Sequence, residues 1–332
     1  MYRELGTVKL KSGEMVETAV IRAPDLAWAD RLEQMLLHKG DPWNWQNTEL
    51  LRVETGVKAS FFVMHRGGVP FSNIMLVETA GVALLGHVWT ELPDRRTGAN
   101  AILMDLLLED FRQQNGRAIF LGTGYDSPPF HYYRRRGFEP VEPGSGYMGR
   151  YSQQREVFDR TWFGATEAVV EPLDWPHWPV SSPLFLGPFD GVVRIAATQL
   201  IGRISEGPLL PLIREARHAR AAGKSSGTCV LRDAAGPAML GLASRQLHPL
   251  WPNTDIVDIF CHPRWWHRAP DLLQSLPASM AARSVAYCDT THVAKREILE
   301  QAGFVERAVL PQWVFATPLE NSRVDVSIFV RQ

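Results

Sequence analysis

Three β patterns follow one another between residues 59 and 91 with almost nothing between them: ASFFVMHR, FSNIMLVET and GVALLGHVWTE. Each is rich in β-branched or aromatic residues and has the length of a strand. The first two are joined through the turn RGGVP, and the second and third by Ala80 alone. A parallel neighbour needs a crossover of roughly a dozen residues, so these connections force antiparallel pairing. A simple doubly wound parallel sheet is thereby excluded.

The flanking segments turn this ribbon into a mixed sheet. VETAVIRA (16–23) reads as a strand, and Pro24 and Asp25 open a helix over DLAWADRLEQMLLHK (25–39). A turn and a short helix fill 40–56. After the ribbon, LPDRRTGANAILMDLLLEDF (92–111) is a proline-led turn running straight into an apolar helix that ends near Gln114. AIFLGTG (118–124) is a buried strand, SPPFHYYRRR (127–136) a short helix stopped by Gly137, and FEPVEPGSGYMGRY (138–151) an edge hairpin.

The second half repeats this order. Strands are expected at 228–233, 237–249 and 253–263, a helix with an internal proline at 267–283, and a strand at 284–290. A helix at 291–304 and strands at 306–316 and 324–332 complete it. Gly-Phe follows the last helix of each half, at 137–138 and 303–304, and Pro93 matches Pro263. These offsets indicate a tandem duplication. Two domains are expected, 1–155 and 156–332, with a proline- and tryptophan-rich strap at about 156–190 that packs down on the core.

Composition narrows the function. The chain has 332 residues, 45% hydrophobic, 10% aromatic, with a formal net charge of −1. Nothing global points to nucleic acid or an anionic membrane. No stretch approaches the ~20 apolar residues of a membrane span, and the N-terminus lacks a signal-peptide pattern. Cys229, Cys261 and Cys288 are too few and too far apart for a disulfide framework or a zinc-finger spacing. Buried free thiols in a reducing cytoplasm are expected, and no metal site.

The loop before the helix at 99 carries the chemistry. Arg95, Arg96 and Gly98 stand where a helix begins and its first backbone amides lack partners, a natural anion site. The strand–loop–helix HVWTELPDRRTGANAILM, the strand AIFLGTG and the helix HYYRRRGF together resemble the GNAT superfamily of acetyl-coenzyme A-dependent N-acetyltransferases. The resemblance is strongest over 80–140. It implies an α/β (α+β) fold of two tandem GNAT-like domains, each a mixed, mostly antiparallel sheet flanked by helices.

It further implies that acetyl-CoA, as co-substrate, lays its diphosphate on Arg95, Arg96, Thr97, Gly98, Ala99, Asn100 and Ala101. Asn100 stands where the family has a small residue. The backbone of Val88 and Thr90 is implied to pair with the pantetheine arm. Tyr133, four residues before the Gly-Phe, is implied to protonate the departing thiolate. For the amine's proton the candidates are Glu91, preferred, with His87 and Asp126. Trp43 and Trp45 lie on the loop that walls the acceptor pocket in the superfamily. The acceptor is expected to be an amine of a small molecule or peptide, and the protein a monomer or homodimer.

The matching loop of the second half, HPRWWHRAPDLL, keeps Arg264 and Arg268, but Trp265, Trp266 and His267 replace the glycine. Leu299 stands where Tyr133 does. The second copy is therefore expected to be degenerate. The alternative to an enzyme is a non-catalytic acyl-CoA or metabolite sensor with the same fold.

Overall fold

A computed structural model describes residues 1–319 and 322–332. The chain divides into two compact units. The first comprises Met1–Leu121 and Arg150–Gln153; the second comprises Gly122–Gly149 and Gln154–Gln332.

The first unit is a sheet of β1 (Tyr2–Lys9), β2 (Met15–Arg22), β3 (Lys58–Arg66), β4 (Val69–Thr79), β5 (Val82–Thr90) and β6 (Ala118–Gly122), in that order. All neighbours are antiparallel except β5 and β6. The antiparallel ribbon forced by the short connections is thus β3, β4 and β5. β3 is buried from Ala59 to His65, so both its faces are covered. The covering helices are α1 (Leu26–Leu36), α2 (Trp43–Arg52) and α3 (Ala99–Gln113). Asp25 caps α1, its carboxylate accepting from the amides of Ala27 and Trp28 at 3.1 and 3.3 Å. α3 buries Leu103, Met104, Leu107 and Phe111, a stripe at helical spacing.

β1 is a departure from the sequence reading, which placed no strand before residue 16. Its segment YRELGTVK is mostly exposed, so burial gives it little period-2 signal. Pairing with β2, from Tyr2 opposite Ile21 to Lys9 opposite Met15, makes it a strand.

The second unit contains α4 (Pro128–Arg134), β7 (Glu139–Pro140) and most of β8 (Tyr147–Tyr151). It continues through α5 (Arg155–Trp162), β9 (Ala168–Pro172), α6 (His177–Val180), α7 (Ser182–Leu186) and the small pair β10 (Val193–Ile195) and β11 (Leu200–Ile201). After α8 (Leu210–Ala221) come β12 (Thr228–Asp233), β13 (Met239–Leu247), β14 (Thr254–Cys261), α9 (Ala269–Ser275), β15 (Arg283–Asp289), α10 (Val293–Gln301), β16 (Val305–Phe315) and β17 (Arg323–Arg331). Its sheet runs β16-β17-β15-β14-β13-β12-β9. The pairing senses of β12 to β15 (antiparallel, antiparallel, parallel) are those of β3 to β6.

The strap is packed down: Trp175 and Trp178 are among the largest fully buried side chains. The helix expected over 267–283 is shorter. A 3-10 turn, Pro263–Arg268, leads into α9, which stops at Ser275. Leu276 turns extended, with ψ 143°, because the ring of Pro277 disfavours a helical residue before it.

Candidate functional site

The arginine loop folds into a cradle of about 400 Å³ at the start of α3. Gly98 is the residue before the helix, with φ 91°, a left-handed conformation that costs other L-residues energy. As a glycine, the N-cap offers no side chain to cap the first turn. The loop is fixed at both ends. Thr97 Oγ1 donates to the Asp94 carbonyl at 2.6 Å, and the Lys11 amide donates to the Thr97 carbonyl at 2.9 Å.

Of the nine residues assigned to the cofactor from the sequence, eight line this cradle: Val88, Thr90, Arg95, Arg96, Gly98, Ala99, Asn100 and Ala101. Thr97 holds the loop from behind rather than facing the space. Lys11, Trp89 and Asp94 complete the lining. Lys11 was not foreseen; it comes from the β1–β2 turn and only the fold brings it to Gly98, where its chain would stand 3.5 Å from a β-carbon. Arg95 is steadied by Trp89, with its guanidinium carbon 4.7 Å from the ring centroid, and by donating from Nε to the Thr90 carbonyl at 3.1 Å. The one carboxylate, Asp94, is paired with Arg66 at 2.6 Å. Three cations, Lys11, Arg95 and Arg96, therefore line the cradle with the residues that begin α3, a donor set suited to an anion.

β5 leads into the cradle with a bulge. Met75 faces Gly86 and Asn73 faces Trp89, so His87 and Val88 together oppose one residue of β4. His87 has φ 48°. Pairing of β5 with β6 covers only Val82–Leu84 against Ala118–Phe120, so the two strands part before the bulge. Beyond Leu84 no pairing of β5 with β6 is recorded, and Val88, Trp89 and Thr90 line the cradle.

The structure separates the three candidate bases. His87 is buried, its Nε2 lies 2.7 Å from Gln46 Oε1, and burial pushes its pKa down to about 3. A group that stays neutral to such low pH is too weak a base for an ammonium. Glu91 is half-buried and accepts from Trp89 Nε1 at 3.3 Å; it does not line the cradle. Asp126, in the second unit, is exposed and paired with His131 at 3.0 Å. Trp43 packs edge-on against His87, with ring centroids 5.6 Å apart, and both Trp43 and Trp45 are half-buried.

In the second unit, Tyr133 lies on α4, a helix capped by Ser127, whose Oγ accepts from the Phe130 amide at 3.3 Å. Tyr133 is buried against Phe138 and Tyr132. Burial raises its pKa, with smaller contributions from Tyr132 and Glu206, so the phenol is protonated at neutral pH. Arg134 and Arg135 are exposed, and Arg136 lies over the Tyr132 ring at 4.1 Å. Glu206 was not singled out in the sequence; no local pattern marks it.

The segment HPRWWHRAPDLL (262–273) folds as the 3-10 turn and the start of α9. Trp265 is buried in the 3-10 turn and stacks on His267 at 5.5 Å. Leu299 is fully buried on α10. All three cysteines are buried and free. Among the described residues, no three or more His, Cys, Asp or Glu are grouped to hold a metal, and no helix is long and apolar enough to cross a membrane.

No protein-family model matches the chain, and no curated protein matches it. Solved structures do. An N-acetyltransferase from Staphylococcus aureus Mu50 is similar at 13% identity and a TM-score of 0.37, over 50% of this chain and 99% of that one. The ribosomal-protein-S18-alanine N-acetyltransferase of Escherichia coli is similar at 14% identity and a TM-score of 0.32, over 49% of this chain and 92% of that one. An acyl-CoA N-acyltransferase from Pseudomonas aeruginosa is similar at 18% identity and a TM-score of 0.33, over 40% of this chain and 97% of that one.

Proposed function

We propose that the chain is an N-acetyltransferase that takes the acetyl group of acetyl-CoA and transfers it directly to an amine of a small molecule or peptide. The supporting observation is the cradle at the start of α3. A left-handed Gly98, the start of α3 and the cations Lys11, Arg95 and Arg96 line a space of about 400 Å³ there. The diphosphate of coenzyme A fits such a donor set, and the end of β5 that lines the cradle suits its amide-bearing arm. Tyr133, kept protonated by burial, is the proposed acid for the thiolate. The two halves are proposed to be copies of one unit, a reading supported by the shared pairing senses of β3–β6 and β12–β15. In the second copy buried Trp265 fills the position of the glycine turn, so one cofactor per chain is proposed.

Calorimetric titration with coenzyme A tests this. The expected result is saturable, salt-sensitive binding at one site per chain. Free thiol should then appear when acetyl-CoA and a panel of primary amines are added. Absence of binding would remove the proposal; binding without turnover of any amine would favour a sensor.

A further inference from the structure

Three ionisable side chains from separate parts of the second unit gather near Gly122, the last residue of β6. Tyr133 comes from α4, Tyr147 from β8 and Glu206 from the turn before α8. The approach to Gly122 is close: a β-carbon there would stand 3.0 Å from Glu206 Oε1 and 3.0 Å from Tyr147 Cε1. The Gly122 N–H points to the Glu206 carboxylate, yet Glu206 Oε1 is shut off from solvent and accepts no hydrogen bond. Neither tyrosine supplies a positive charge.

The backbone that holds Glu206 is strained as well. It has φ 67° and ψ −97°, a region L-residues avoid. Trp178, fully buried, donates from Nε1 to the Glu206 carbonyl at 3.1 Å, and the Leu209 amide donates to the same oxygen at 3.2 Å. A conformation fixed this firmly holds a buried carboxylate oxygen without a hydrogen-bond partner, which is costly. A cation bearing N–H groups would satisfy that oxygen.

We propose that Glu206 is the receptor for the acceptor's ammonium group. This assignment rests on the acetyl-transfer reading above. The rings of Tyr133 and Tyr147 supply π-faces suited to a cation. Tyr147 also lines a neighbouring cavity of about 520 Å³ in the same unit, together with Ile201, Ile204, Trp313 and Phe315. The acceptor class is therefore a primary amine carrying an apolar or aromatic body.

Burial pushes Glu206 up to about 8, opposed by the hydrogen bond from Gly122. Tyr133 and Tyr147 are the titratable groups whose ionisation its charge opposes. Binding of an ammonium would ionise Glu206 and release its proton. Affinity should then tighten about tenfold per pH unit below about 8, which a merely structural glutamate would not produce.

The test is calorimetry of the full chain with phenethylammonium chloride between pH 6 and pH 9. The wild type is expected to bind with that slope. Glu206→Gln is expected to bind at least about tenfold more weakly and without the slope, while its response to coenzyme A is unchanged. Should the Gln variant fail to fold, Gly122→Ala asks the same question, because its methyl group would press on Glu206 Oε1 and exclude an ammonium. No binding by the wild type, equal binding by the variants, or a pH-independent affinity overturns the proposal. Amine binding through Glu206 in a protein that ignores coenzyme A would instead overturn the acetyl-transfer reading and leave an amine site.

Discussion

A phenol can protonate a thiolate only while it holds its own proton. Tyr133 meets that requirement through its place on the buried face of α4 between Tyr132 and Phe138. Replacing it with Phe removes the O–H and keeps the ring that packs there. Turnover should fall by about 10²–10⁴, while coenzyme A affinity measured by calorimetry stays within about twofold. An unchanged rate would withdraw the acid role. Tyr133 could be proposed from the sequence because its spacing to the Gly-Phe is local, one helical turn. Lys11 and Glu206 were not, since each arrives from a distant segment and carries no neighbouring pattern. Glu91, chosen from the sequence for its place at a strand end, accepts a hydrogen bond from Trp89 Nε1.

Among elements, the start of α3 decides most. The helix is anchored by its apolar stripe, and its first turn lines the cradle. Gly98→Ala forces a β-carbon into the left-handed conformation, at a cost of about 1–2 kcal/mol, against the Lys11 chain. Coenzyme A affinity should drop by about tenfold, read by calorimetry, with α3 intact by circular dichroism. Elements with strong periodicity or tight turns, such as β3–β5 and α3, could be read from residues alone. β1 could not, because a mostly exposed strand gains its order only from β2. The helix at 267–283 was read too long because its apolar spacing continues past the point where Pro277 ends it.

At the scale of the whole molecule, a formal net charge of −1 leaves pH-dependent stability to individual buried groups. Glu206 is the clearest. Its folded pKa of about 8 lies above the ~4.3 of an unfolded glutamate. Between these values the folded chain keeps a proton that the unfolded chain has lost. Its contribution to stability is therefore fully present below about pH 4 and declines as pH rises toward about 8. Thermal melts should show the wild type losing more stability from pH 5 to pH 8 than Glu206→Gln. Parallel curves would show that Glu206 is ionised like an ordinary surface carboxylate.

The route of the chain through its two units has its own consequence. The backbone leaves the first unit after Leu121, returns for Arg150–Gln153, and leaves again. The units are laced together, so no single scission yields both of them whole. A gene fragment stopping anywhere before Arg150 would lack a stretch of the first unit, and one extended to include it must carry the 28 residues of Gly122–Gly149 that belong to the second. Releasing either unit whole would therefore take more than one cut in the chain.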